Sequence, residues 1–451
     1  MQTQYEKMTQ TSIPKLIITL SIPTILSMLI TNVYNIVDTA FVGTLGNSAS
    51  GAVGVVFGFM AILQAVGFLF GQGAGSLLSR QLGAHDEENA SKTTSTGFFG
   101  SIIVSIIVAV FCAIFLDDLV MALGSTVTIA PYAKTYIAYI LAVAPLFTSS
   151  FTLNNLLRYE GRAMLGMVGM MAGAIINIAG DAIFIFGLNM GIEGAGLSTA
   201  ISQVISFSIL LSMFLCGKTQ SKISFKYIDF RFRFIWNVVA TGFPSLLRQG
   251  LGSVATIVLN MCASQYGDEG VAGMSIVSRI FFFILSVAIG VGQGFQPVSG
   301  FNFGAKKYSR LKDAYIFTVK LATALVVVIG MVVYILAPDI VRILRDDGRV
   351  IEIATRSLRI HCMALPFLPI GIMTEMLFQS TGKKLWASIF SSLRSGVVYI
   401  PLLMIMAHVR GLAGIQEAQP LAFIICSVPA VLVAILYFKK LPKEDENQEV
   451  G

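Results

Sequence analysis

The sequence predicts an all-α polytopic membrane protein, with twelve transmembrane helices in two parallel, pseudo-symmetric six-helix bundles. Three observations predict it. Only 12% of the residues are charged while 55% are hydrophobic, and the mean hydropathy is +0.79, which excludes an ordinary soluble globule. Apolar runs long enough to cross a bilayer recur from end to end. Finally, a single ungapped shift of 221 residues lays the first half of the chain on the second. Pro23 falls on Pro244, Gly46 on Gly267, Gly71-Gln72-Gly73 on Gly292-Gln293-Gly294, Pro145 on Pro366, and Gly161-Arg162 on Gly382-Lys383. Near the end the shift slips by one, so that Gly191 and Gly194 match Gly411 and Gly414. An even number of spans per copy gives both copies the same orientation, related by an axis along the membrane normal.

Span one, 15–42, carries Thr31, Tyr34, Asn35 and Asp38 near its end, at helical spacing, as one polar stripe on an apolar rod. A mid-helix aspartate costs about 2.5–3.5 kcal/mol to insert, so it faces a cavity or a partner unless it sits just past the hydrocarbon edge. Gly43-Thr44-Leu45-Gly46-Asn47 closes the helix soon after, which leaves both placements open from this span alone. The span is too long and too polar at its end for a cleaved signal peptide. Span two, 50–78, repeats Gly67, Gly71 and Gly75 at four-residue intervals, letting a neighbouring backbone come close. Spans three and four cover 93–115 and 130–157, the latter with Tyr136, Pro145 and Asn154. Span five, 163–188, opens with Met164, Met167, Met170 and Met171 and continues to Asn177 and Asp181, four apart and therefore on one helix face. Span six, 194–215, supplies Thr199.

The join, 216–233, is polar and basic, as a cytoplasmic linker between two lobes should be. Beyond it come spans 234–263, 270–299, 311–336, 351–379, 386–408 and 413–438, and then a tail, 439–451. The domain division is therefore an N-terminal lobe, 1–215, and a C-terminal lobe, 234–438. Prolines inside spans (Pro23, Pro145, Pro244, Pro297, Pro366, Pro369, Pro401 and Pro429) free backbone carbonyls and mark expected bends. Basic residues crowd the segments assigned to the cytoplasm, among them Arg158, Arg162, Lys218, Lys222, Lys226, Arg231, Lys306, Lys307, Lys383 and Lys439. This positive-inside bias places both termini in the cytoplasm of a multi-pass cell-membrane protein. An outer cluster from Arg342 to Arg359 is interleaved with Asp339, Asp346, Asp347 and Glu352, which leaves it near neutral.

Depth links the polar residues of the first half. Asp38, Asp181 and Thr199 each lie five or six residues from the outer end of their helices, roughly 8–10 Å below it, and Tyr136 lies at a similar level. Two carboxylates with neutral oxygens at one depth can share a proton, or bind a small hard cation through Asp38, Asn177, Asp181 and Thr199, or merely satisfy one another in a hydrogen-bond network. The second copy is a control: Asp38 maps to Leu259, Asn177 to Val398 and Asp181 to Leu402. Ion coupling, by H+ or Na+, is therefore expected in the first lobe alone. The clear acid of the second lobe's spans is Glu375, which maps to Asn154 and has two open uses, contact with a cationic substrate or pairing with Arg248 or Arg279.

The chain resembles the multidrug and toxic compound extrusion (MATE) family. The resemblance rests on Asn35-Ile36-Val37-Asp38-Thr39-Ala40-Phe41-Val42-Gly43, on Gly71-Gln72-Gly73-Ala74-Gly75, on Ser79-Arg80-Gln81-Leu82-Gly83-Ala84 and on Gly300-Phe301-Asn302-Phe303-Gly304-Ala305, within a likeness that runs through essentially the whole chain. Among the family's branches it is most similar to the bacterial DinF/MepA-like group. The resemblance implies two six-helix bundles forming a V, and antiport of organic cations or other amphiphilic drugs against H+ or Na+. It also implies ion-coupling roles for Asp38, Asn177, Asp181 and Thr199 and cavity positions for Tyr136 and Asn154. Tyr34, Asn35, Met170 and Glu375 complete the candidate substrate contacts. Members with a second-lobe cation site carry acids in helices 7 and 10; helix 7 here has none, and Glu375 is out of their register.

Other classes fit less well. Five scattered cysteines without a CxxC, and three histidines far apart, build neither a disulfide framework nor a metal centre. The net charge of +7 is explained by topology, and no nucleic-acid partner is expected. HExxH, GxSxG and Walker A motifs are absent, so the chain is not expected to be an enzyme or to need a cofactor. A monomer in the lipid bilayer is expected. The alternative function is a lipid-linked saccharide flippase, which needs basic residues such as Arg248, Arg279 and Arg394 to meet a diphosphate.

Overall fold

The computed structural model describes residues 3–442, so the part of the expected tail from Lys443 onward lies outside the described residues. Among these the chain is helical without strands, and twelve helices are long and apolar enough to cross a bilayer. A short helix α1, Gln4–Gln10, opens with a capping box in which Thr3 and Glu6 satisfy each other's backbone N–H. The first copy then runs through α2 (Ile13–Gly43), α3 (Asn47–Gly83), α4 (Glu87–Ile114), the short α5 (Leu116–Ala122), α6 (Ala130–Tyr159), α7 (Ala163–Asp181) and α8 (Gly191–Leu215). The second copy comprises α9 (Phe232–Ser264), α10 (Gly267–Gly304), α11 (Tyr308–Leu344), α12 (Gly348–Ala364), α13 (Leu368–Ser380), α14 (Lys384–Ser392), α15 (Tyr399–Arg410) and α16 (Leu412–Lys440).

Two expected spans are interrupted helices. The span over 351–379 is α12 and α13, joined by a tight turn at Leu365–Phe367 where Pro366 and Pro369 remove backbone donors. The span over 386–408 is α14 and α15, joined by a wide π-turn at Leu393–Val397, and a second π-turn, Ala182–Gly187, follows α7 directly after Asp181. Pro23, Pro145, Pro244 and Pro297 instead lie within continuous helices. Asp347 caps α12 by accepting from Arg349 and Val350 N–H at 3.0 and 3.1 Å. The outer arginine cluster is internally paired, with Arg349 3.1 Å from Glu352 and Arg342 between Asp339 and Asp346.

The chain forms two compact units, Leu26–Gly242 and the combination of Met1–Ile25 with Phe243–Gly451. The repeat divides at the linker, whereas packing divides inside α2 and α9, beside the equivalent prolines Pro23 and Pro244. In the first-half unit, α3 runs against α6 through its glycines. A Cβ at Gly67 would sit 2.8 Å from the Thr148 carbonyl oxygen, and one at Gly71 3.0 Å from Thr152 Cα, so only hydrogen fits. Tyr136, Phe59, Phe147 and Leu63 fill the adjoining core. The linker is laid along α4. Lys222 N–H donates to Ser91, Ser224 N–H to Ser95 and Asp229 N–H to Thr96, at 3.0–3.2 Å. In the other unit the first half of α2 is held on α10, where Thr24 donates to the Gly290 carbonyl at 2.7 Å. Phe378, Phe390 and Ala430 form a second apolar cluster.

Candidate functional site

The stripe read on span one is real, and α2 turns it inward. Val33 and Ile36 are exposed while Asp38 is buried. Three other helices meet it at the same level. Tyr136 of α6 points its hydroxyl at Asp38 Oδ1 (3.4 Å) and shares a 2.8 Å hydrogen bond with the Thr199 hydroxyl of α8. Asn177 of α7 donates from Nδ2 to Thr199 at 3.1 Å and to Ser198 at 3.3 Å, and Ser198 returns a hydrogen bond to the Asn177 carbonyl at 2.9 Å. α7 and α8 come this close because Gly180 faces Ser198, where a Cβ would lie 3.2 Å from that of the serine.

Asp38, Asn177, Asp181, Thr199 and Tyr136 are each at most 2% exposed. Asp38 Oδ2 and Asn177 Oδ1 accept no hydrogen bond, and Asp181, within reach of Ser198 and Asp38, has none of normal geometry on either oxygen. The groups that act on the two carboxyls are each other and neutral side chains; no lysine or arginine is among them. Such a cluster has spare oxygen acceptors and up to two negative charges with no built-in counter-charge. Its chemistry is to take up a cation, a proton on a carboxyl or a small hard ion among the oxygens. Among the described residues no group of three or more His, Cys, Asp and Glu side chains stands ready for a metal, so any ion would rely on the amide and hydroxyl oxygens as well.

Next to the cluster lies a cavity of about 210 Å³. Thr31, Tyr34 and Asn35 of α2 form one wall and Asn177 joins it to the acids; Met170, Phe147 and Phe151 supply apolar faces. Tyr34, Asn35 and Met170 were expected there. Asn154 is not among the lining residues, because its amide packs at Gly166 on α7. Met164 is 54% exposed, on the outer face of its helix. Glu375 is also placed differently from a substrate contact. It is fully buried, held by Arg248 at 2.7 Å and by Arg394, not Arg279, at 3.3 Å. Arg279 is exposed.

Residues not expected from the sequence complete the cavity, chiefly Gln64, Ser202, Gln203 and Ser206. The signal was present, since Thr199, Ser202, Gln203 and Ser206 recur at helical spacing as a polar stripe on span six. Ser198 sits beside the one residue of that stretch that was singled out.

The MatE family model matches this chain twice, at residues 23–183 and 244–405, once in each copy of the repeat. The multidrug export protein MepA of Staphylococcus saprophyticus is 28% identical over 422 residues, covering 93% of each chain. A crystal structure of MATE in complex with MaL6 superposes with a TM-score of 0.92 at 25% identity, covering 98% of this chain and 100% of that one. A multidrug resistance MATE family transporter of the MOP superfamily in its outward-facing conformation gives 0.91 at 25% identity, covering 98% and 99%.

Proposed function

Because this chain belongs to the MatE family, we propose that it exports amphiphilic or cationic organic compounds across the plasma membrane in exchange for H+ or Na+. The observation that carries the exchange is the pair of buried acids, Asp38 and Asp181, with no basic side chain to balance them. Leaving charge uncompensated in a low-dielectric interior costs several kcal/mol, so the site favours a bound cation. H+ would settle on a carboxyl; Na+ would be held among oxygens of Asp38, Asn177, Asp181 and Thr199.

Export follows from the shared helix. α2 carries both Asp38 and the cavity wall of Thr31, Tyr34 and Asn35. Ion uptake at Asp38 and Asp181 favours a bend of α2 near Pro23 or its Asn-rich stretch, which narrows the cavity and expels the compound. Coupling then requires only that ion and substrate favour different states of the helix. The likeness to a multidrug export protein and the mixture of aromatic, Met and amide groups around the cavity support a broad substrate range. In this reading the chain works as a monomer with both termini in the cytoplasm.

The test is dye efflux from proteoliposomes under separately imposed proton and sodium gradients. One gradient should drive efflux, and Asp38→Asn should reduce it to the protein-free level. Gradient-driven efflux at the unmodified rate in Asp38→Asn would remove Asp38 from the mechanism.

A further inference from the structure

The second copy of the repeat holds a buried charge cluster of opposite sign. Arg248 Nη1, on α9, donates to Glu375 Oε1 at 2.7 Å, and Arg394 Nη2, in the π-turn after α14, donates to Oε2 at 3.3 Å. Two guanidiniums and one carboxylate leave one positive charge over. The charged and titratable groups acting on Arg394 are Glu375, Arg248 and the Cys426 thiol, so no second acid balances it. Its Nε is buried without a hydrogen-bond partner, although the side chain as a whole is 10% exposed. One arginine suffices to tie Glu375 to a neighbouring helix. A second brings an unpaired buried charge, which costs stability unless something else uses it.

The repeat shows where in the fold this surplus charge stands. The shift of 221 lays Gly173 on Arg394, and the shift one shorter, which matches Gly191 and Gly194 to Gly411 and Gly414, lays Ser206 on Cys426. Gly173 and Ser206 are neighbours in the first copy and both line its cavity. Arg394 and Cys426 are neighbours in the second. A guanidinium thus occupies the place of a cavity-wall glycine, in the copy where Leu259 and Leu402 replace the two coupling acids. The π-turn makes room for it, and such turns recur at functional positions.

We propose that Arg394, steadied by Glu375 and Arg248, is a binding site for the carboxylate or sulfonate group of an amphiphilic substrate, so that the chain accepts zwitterionic compounds as well as cations. A planar guanidinium with unused donors matches a carboxylate or sulfonate edge, and charge-assisted hydrogen bonds of this kind are strong where water is scarce. The substrate half of this inference rests on the export reading above. Binding measured without any gradient keeps the two separable: loss of transport with binding intact would count against ion exchange and leave this site standing.

The experiment uses the full chain in phosphatidylcholine nanodiscs and a matched pair of dyes, a rhodamine with a free benzoate and its methyl ester. Fluorescence anisotropy gives the ratio of the two affinities. Arg394→Gln should shift that ratio by about tenfold toward the ester, and Arg394→Lys should restore part of the difference. In the unmodified chain, benzenesulfonate should displace the free-acid dye at concentrations that leave the ester bound, a measurement independent of whether Arg394→Gln folds. An unchanged ratio in Arg394→Gln, or equal displacement of both dyes, would overturn the proposal.

Discussion

Four buried acids are balanced in three different ways. Asp38 and Asp181 have only neutral partners and each other, and Glu375 has two arginines. Glu160, in the turn between α6 and α7 and outside the spans, is stabilised by hydrogen bonds to the linker: from Gln220 N–H at 3.1 Å, from Ser221 N–H at 3.0 Å, and from the Ser221 hydroxyl. Burial is the larger effect and pushes its carboxyl above the usual glutamate range, while those hydrogen bonds and Arg162 pull it back. The folded chain therefore holds this proton to higher pH than the unfolded chain does. The corresponding stability is complete below the unfolded value and is lost as pH rises through the folded one. Melting curves across that window should show the midpoint falling with rising pH, and Glu160→Gln should flatten the fall. An equal slope in the variant would place the titration elsewhere.

At the scale of the helix, glycine spacing carried more information than proline position. The repeat of Gly67, Gly71 and Gly75 forecast a close neighbour, and α6 is that neighbour. Gly71→Ala would press a methyl against Thr152 Cα and Asn155 Cβ, atoms that move only with their helix, so we expect a loss of about 1–3 kcal/mol. The equivalent Gly292 instead faces the sulfur atoms of Met373 and Met376, which can swing aside. Gly292→Ala should therefore lower the melting temperature less than Gly71→Ala does, and the reverse order would contradict this packing. The π-turns at Ala182–Gly187 and Leu393–Val397 were not legible in the sequence. An extra residue in a helical turn leaves the apolar pattern nearly intact, and whether it is accommodated depends on what packs alongside.

For the whole molecule, the proposed topology makes a simple demand on the linker. Cys216 is exposed at its start. In a variant that keeps Cys216 and carries alanine at Cys112, Cys262, Cys362 and Cys426, a membrane-impermeant maleimide should label inverted vesicles and spare intact cells. Labelling from outside would reverse the orientation.

The sequence by itself determined the number of spans, the duplication and the polar stripe of Asp38 with its depth-matched partners. Each of these follows from spacing along one helix and from the high cost of a charge in lipid. Tertiary structure decided which helix each stripe meets. It gave Glu375 a second arginine, Arg394, in place of Arg279, set Ser198 beside Asn177, and drew the unit boundary through α2 and α9 instead of the linker. Periodicity fixes the face on which a side chain lies. The partner across that face is chosen by helix packing, and the chain order does not record it.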